Sequence, residues 1–221
     1  MKIFLITGFA LDKRAFNLLD LSNEIFIFRD LIPVEKEDSF KSYALRMAKD
    51  MDLQDGDIIG GVSLGGMLAL EIAKYYSVRG VILIASSRHP RMVKKRFMLW
   101  SGLAPYFPDF LIRRIFLSIP LILKFQNMLT PEGQSLLTKI MSQFPPSLLK
   151  SLPPLIRKWK GAEKPANYRH IHAAKDWMIN APLADTAEYQ ILPAHNHLIT
   201  VSHPKEVRAF ILKAVDDFSK N

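Results

Sequence analysis

Cysteine is absent from the 221 residues. Its absence removes a disulfide framework, a thiol nucleophile and any cysteine-ligated zinc or iron–sulfur centre, and it suits a reducing compartment. Glycine is scarce, at 10 residues, which excludes a collagen-like rod. Long apolar runs are missing as well. The run at 117–123 contains Pro120 and falls far short of the ~20 residues that a spanning helix needs, so no transmembrane segment is predicted. Residues 3–10 are apolar and follow Lys2, but Asp12, Lys13 and Arg14 come directly after them. That stretch reads as a first strand, at 2–7, rather than a signal peptide. Acidic residues are almost missing from one stretch: between Arg88 and Lys164 there are 14 Lys/Arg against 3 Asp/Glu.

What remains is an ordinary globular composition, 49% hydrophobic and 23% charged, which fits one domain with an elaboration. The net charge of +9 invites a nucleic-acid reading. The distribution argues against it, because outside 88–164 the 16 basic residues are slightly outnumbered by 18 acidic ones. The basicity belongs to a middle segment that is also rich in apolar residues.

The chain divides into three stretches. Residues 1–87 alternate strand and helix signals, with strands predicted at 2–7, 25–28, 57–62 and 81–85 and helices at 39–51 and 64–76. Strands apolar on both sides and separated by helices imply a parallel sheet covered on both faces. Residues 88–165 lose the strand rhythm and hold most of the prolines, among them Pro120, Pro153 and Pro154. They read as a helical insertion of short pieces, such as 109–117 and 133–141, broken by proline. Residues 166–221 resume the α/β rhythm, with strands predicted at 168–172 and 188–192 and a closing amphipathic helix at 204–218.

One pattern carries chemistry: Gly61-Val62-Ser63-Leu64-Gly65. It lies between a predicted strand and a predicted helix, the strand–turn–helix setting that exposes a serine hydroxyl. A serine is a weak nucleophile without a base, and the base needs an acid to hold it. The loop after strand 168–172 offers Asp176. The loop after strand 188–192 offers His195 and His197. Parallel strands open their C-terminal ends onto one edge, where these groups can converge. Asp185, before the last strand, is a fallback for the acid. His170 and His172 share one side of a strand, and the His-x-His pairs at 170–172 and 195–197 could in principle hold zinc. No further metal-ligand pattern accompanies them, so no metal and no cofactor is predicted.

These motifs resemble the α/β-hydrolase superfamily. The likeness rests on the Gly-Val-Ser-Leu-Gly-Gly elbow, on His-Ile-His-Ala-Ala-Lys-Asp at 170–176, on Ala-His-Asn-His-Leu at 194–198 with Ser-His-Pro-Lys-Glu-Val after it, and on Ile6-Thr7-Gly8-Phe9. It covers the chain except 88–165, where that family carries a variable lid. Thr7 stands where the family often has histidine, Ala173 where it usually has glycine, and Ala194 and His195 where glycine is frequent. The resemblance aligns the first strand with the family's third. It therefore implies a six-stranded, all-parallel sheet, with a core of 1–87 and 166–221 and a helical lid of 88–165.

The resemblance further implies that Ser63 is the nucleophile, Asp176 the acid and His197 the base, with His195 in a supporting place. It assigns the oxyanion-holding amides to Phe9 and Leu64. Phe9, Trp100 and Phe107 are expected to line an apolar substrate pocket. Arg113, Arg114, Arg157 and Lys158 are expected near its mouth, where the basic lid could meet an anionic lipid or an acidic acyl carrier protein. The function expected is that of a soluble, cytoplasmic serine hydrolase acting on a small-molecule ester or thioester. C–C bond hydrolysis and perhydrolysis use the same triad. The rival from another class is a non-catalytic binding protein that keeps the fold.

Overall fold

The structure is a computed structural model. It describes residues 1–21, 24–103, 106–125, 128–181 and 188–220, without the side chains at 100, 101 and 125. Six strands form one sheet: β1 (Ile3–Ile6), β2 (Phe26–Arg29), β3 (Ile58–Val62), β4 (Gly80–Ile84), β5 (Tyr168–Ala173) and β6 (Tyr189–Leu192). Their spatial order is β2-β1-β3-β4-β5-β6, and every pairing is parallel. The strands are short and β1, β3 and β4 are buried along their whole length. Both faces must therefore be covered.

Alternation divides the strand side chains between two cores. Phe4, Ile6, Ile59, Val81 and Leu83 pack with α1 (Phe40–Asp50) and α2 (Leu64–Ile72). Ile3, Leu5, Ile58, Ile82 and Ile84 face the other way, toward the 3-10 helix Lys13–Leu19, α7 (Ile199–Ser202) and α8 (Pro204–Ser219). Ser39 opens α1 with a reciprocal cap to Ser42, satisfying amides that a helix start leaves without partners. Val207, Phe210, Ile211, Ala214 and Phe218 are the buried stripe of α8, as the helical spacing of the sequence implies.

Between β4 and β5 lie α3 (Lys95–Leu103), α4 (Asp109–Phe125), α5 (Pro131–Gln143) and α6 (Pro146–Lys158). Here proline misleads the sequence reading. The helix predicted at 109–117 runs on through Pro120 to Phe125, and α6 contains Pro153 and Pro154. Proline inside a helix loses one backbone hydrogen bond. Pro120 and Pro153 are buried, so packing offsets the loss.

These helices join both cores. Leu137 and Ile140 of α5 are buried with β1 and β4 residues on one face, and Leu149 and Leu152 of α6 lie in the core on the other. Trp159, one residue past α6, stacks on Phe40 of α1 with ring centroids 5.3 Å apart. Its Nε1 donates to Glu71 Oε2 of α2 at 3.0 Å, and Lys74 Nζ reaches the same carboxylate oxygen at 2.6 Å. A buried indole with its N–H satisfied contributes both area and a hydrogen bond.

Trp159→Ala is expected to lower unfolding stability by about 3–5 kcal/mol, the range for emptying a buried aromatic site, and Trp159→Phe by less. Urea denaturation of the full chain measures both. Losses below 1 kcal/mol for Trp159→Ala would show that the end of α6 is not anchored to α1 and α2.

Candidate active site

Ser63 stands between β3 and α2 with φ 52° and ψ −113°, a conformation that costs a non-glycine residue energy. Ala10, after β1, and Ala85, after β4, also have positive φ, so three strained residues collect at one edge of the sheet. The turn is held by its own backbone. The Ser63 amide donates to Ile84 O at 2.9 Å, and the Ser63 carbonyl accepts from Ser86 Oγ at 2.6 Å. Its glycines are steric requirements. A Cβ on Gly61 would lie 2.5 Å from the Ile6 carbonyl oxygen, and one on Gly65 would lie 2.2 Å from the same atom. Only hydrogen fits there.

Asp176 follows β5 by three residues and is fully enclosed, as is His197 in the loop after β6. Asp176 Oδ1 accepts from the amides of Met178 at 2.7 Å and Ile179 at 3.0 Å. Its Oδ2 accepts from His197 Nδ1 at 2.6 Å. With Nδ1 as the donor, His197 Nε2 carries the lone pair, and that atom is buried with no hydrogen-bond partner. Asn196 shapes the turn: its Oδ1 accepts from the Leu198 amide at 2.8 Å and from Ser202 Oγ at 3.2 Å.

Ser63, His197 and Phe9 line one cavity of about 250 Å³. Its walls are apolar, with Phe97, Phe107 and Phe116 among them, and Phe9 meets Phe116 edge-on at 5.5 Å. Among the described residues, neither the Phe9 nor the Leu64 amide is given to a backbone carbonyl.

Of the pocket residues expected from sequence, Phe9 and Phe107 are in this wall, while the side chain of Trp100 and the whole of Asp185 lie outside the described residues. His195 points elsewhere and is exposed. Arg96 lines the cavity, whereas Arg113, Arg114, Arg157 and Lys158, expected near its mouth, are not among its lining residues. Arg113 Nη1 is turned to the Ser142 carbonyl at 3.1 Å instead. Trp177 was not anticipated. It lines the cavity, its ring is 6.1 Å from that of His197, and its Nε1 is buried without a partner. Its place directly after Asp176 was the available signal.

Behind Asp176 lies a second, unanticipated feature. Tyr168 Oη is 3.0 Å from His170 Nδ1, His170 Nε2 is 3.2 Å from His172 Nδ1, and His172 Nε2 is 3.4 Å from the Ile179 carbonyl oxygen. One set of neutral tautomers satisfies all three contacts, each ring accepting at Nδ1 and donating at Nε2. His172 Nε2 is also 3.3 Å from Asp176 Oδ2. Burial holds His170 well below the usual histidine range. For His172, burial outweighs the attraction of Asp176 and brings the ring down to about 4. Burial alone would raise the Asp176 carboxyl, but the charge and hydrogen bond of His197, with His172 and the Ile179 amide, hold it down to about 2. No cluster of three or more His, Asp or Glu suited to a metal ion occurs among the described residues.

The model of the Alpha/beta hydrolase family matches residues 28–210. Among solved structures, the chain is similar to a thermophilic esterase from Thermogutta terrifontis. They share 17% identity and a TM-score of 0.72 over 99% of this chain and 90% of that one. A lipase-esterase related protein from Clostridium acetobutylicum aligns at 15% identity and TM-score 0.68, covering 96% and 93% of the two chains. A hydrolase from Pseudomonas aeruginosa aligns at 14% identity and TM-score 0.68, covering 97% and 89%. No curated protein matches the chain.

The two inner histidines make stability depend on pH in a calculable direction. The unfolded chain protonates them near 6.5, whereas folded His172 takes its proton only near 4 and buried His170 is held well below its ordinary range. Unfolded chains therefore bind more protons in that window, and stability falls as pH drops from about 6.5 toward 4, by up to about 1.4 kcal/mol per pH unit for each ring. Between 4 and 2 the loss of the Asp176 charge adds to it. Thermal melts across pH 7 to 4.5 should show a steep decline, and the double variant His170→Gln/His172→Gln a flatter one. Parallel slopes for the two proteins would contradict the buried neutral rings.

Proposed function

Because the chain belongs to the alpha/beta hydrolase family, we propose that it is a serine hydrolase. Its substrate is a carboxylic ester or thioester with an apolar acyl or alkyl group. The observation that carries this reading is the buried Asp176–His197 pair at 2.6 Å, whose free Nε2 belongs to the same cavity as the strained Ser63.

Ser63 Oγ attacks the carbonyl carbon while His197 Nε2 takes the hydroxyl proton. The carbonyl π electrons move onto oxygen, where the Phe9 and Leu64 amides receive the charge. Donors of this kind contribute several kcal/mol to the transition state. As the tetrahedral species collapses, the bond to the leaving oxygen or sulfur breaks and His197 returns the proton to it. Water then repeats the sequence on the acyl-enzyme and releases the acid. Asp176, held as a carboxylate, fixes the Nδ1–H tautomer and stabilises the imidazolium that forms at each step.

The cavity wall supports an apolar group on the substrate, and its modest volume supports a short or medium one. Residues 88–165 act as the lid in this reading, since Phe97, Phe107 and Phe116 roof the cavity from α3, α4 and the connection between them. The excess of basic residues there supports attraction of an anionic lipid or an acidic acyl carrier protein. The absence of cysteine supports a cytoplasmic setting.

Ser63→Ala is expected to lower turnover of p-nitrophenyl esters about 10³-fold or more with an unchanged thermal melt. His197→Ala should behave similarly, while His195→Ala stays close to wild type. A fluorophosphonate probe should label Ser63 alone. Wild-type turnover by Ser63→Ala would remove the nucleophile assignment, and folded protein that takes no label would favour a non-catalytic binder.

A further inference from the structure

Eight of the twelve exposed large apolar side chains among the described residues fall between residues 99 and 122. They belong to α3, α4 and the connection between them. Tyr106 is 85% exposed, Phe110 73% and Leu99 67%. On α4, Phe110, Leu117 and Leu121 follow one stripe at helical spacing, while Ile112, Phe116 and Ile119 point the other way and line the cavity. A helix apolar on all sides is normally buried on all sides. α4 is buried on one side only, and its outer stripe, interrupted by Arg114, exposes large apolar side chains of the kind that mark an interaction site.

The same surface is positively charged. Lys95, Arg96, Arg114 and Lys124 are exposed on α3 and α4. The one acid on these two helices, Asp109, is paired with Lys150 of α6 at 2.6 Å. Arg114 sits within the apolar stripe, four residues after Phe110 and three before Leu117. A second copy of the chain seated here would bring like charges together, which costs several kcal/mol. No helix among the described residues is long and apolar enough to cross a membrane. An apolar stripe carrying cations suits a helix that lies in the plane of a lipid surface, apolar side chains in the acyl boundary and basic ones among anionic headgroups.

We propose that the outer face of α3 and α4 docks onto an anionic lipid bilayer and presents the cavity to it. The docking stands on this surface alone; that it delivers a lipid-dissolved ester to Ser63 rests on the serine-hydrolase reading. Arg96 and Ile115 belong both to the exposed face and to the cavity lining, so the cavity opens at the membrane side.

The test is flotation of the full chain with vesicles of equal parts phosphatidylglycerol and phosphatidylcholine, beside vesicles of phosphatidylcholine alone. The wild type should float with the anionic vesicles, bind the neutral ones weakly and come off as salt rises. Leu117→Gln/Leu121→Gln should weaken binding at least tenfold, because both signals are needed for stable anchoring. Arg114→Gln and Lys124→Gln should each weaken it about fivefold, from ~1 kcal/mol per basic residue. All these positions are exposed and outside the cavity, so thermal melts and hydrolysis of a water-soluble short ester should stay at wild-type level. Equal binding to both vesicle types, or no binding to either, would overturn the proposal. Self-association lost in Leu117→Gln/Leu121→Gln, with no vesicle binding, would assign the face to a second copy instead. Ester turnover without vesicle binding defeats the docking alone, whereas vesicle binding with turnover unaffected by Ser63→Ala defeats the hydrolase reading alone.

Discussion

A carboxylate with almost no contact with water organises this end of the molecule. An isolated buried carboxylate is destabilising by many kcal/mol unless donors surround it. Asp176 meets that condition with two backbone amides on one oxygen and His197 on the other, and His172 stands close behind. The amides require a tight turn after β5. The imidazole requires the loop after β6 to arrive at one fixed angle, which Asn196 supplies from within the loop. Satisfying one charge thus determines where two loops run.

The serine side is governed by sterics rather than charge. β1 and α2 approach so closely that the Ile6 carbonyl occupies the space of any side chain at 61 or 65. That approach makes the turn at Ser63 sharp and forces its positive φ. Because all six strands are parallel, the sharp turn and the two loops emerge at the same edge of the sheet. The Asp176–His197 pair, set by electrostatics, and Ser63, set by backbone packing, therefore come to one end of the molecule without sharing a segment of chain.

Much of this was legible in the sequence. Strand positions followed from short apolar runs and came within a residue or two of the observed ones, because β-strands buried on both faces leave an unmistakable composition. The order of Ser63, Asp176 and His197 along the chain, together with a parallel sheet, was enough to bring them to one edge. The helices holding Pro120, Pro153 and Pro154 were not legible, since their local rule is a break and only burial against distant residues reverses it. The contact of Trp159 with Glu71 spans 88 positions, and nothing local marks it. Trp177, His170 and His172 were visible as residues but not as partners. What relates them is the folding back of a loop, not a spacing.

The segment after β4 does more than line the cavity. Val93 forms an isolated antiparallel bridge with Ile179. The Lys94 amide donates to the Met178 carbonyl and the Asn180 amide to the Met92 carbonyl, while Lys94 Nζ reaches the Asp176 carbonyl at 2.5 Å. The loop that carries the acid is thus sewn to the first residues of the helical insertion, chiefly through main-chain atoms. Main-chain bonds do not read side chains, so evolution can rewrite most residues at 92–94 without loosening the acid. A change of length there is another matter, because it would slip the stitch and release the Asp176 loop. The helices beyond are free to diversify toward new surfaces and substrates, provided that descendants keep the count of residues between β4 and that seam.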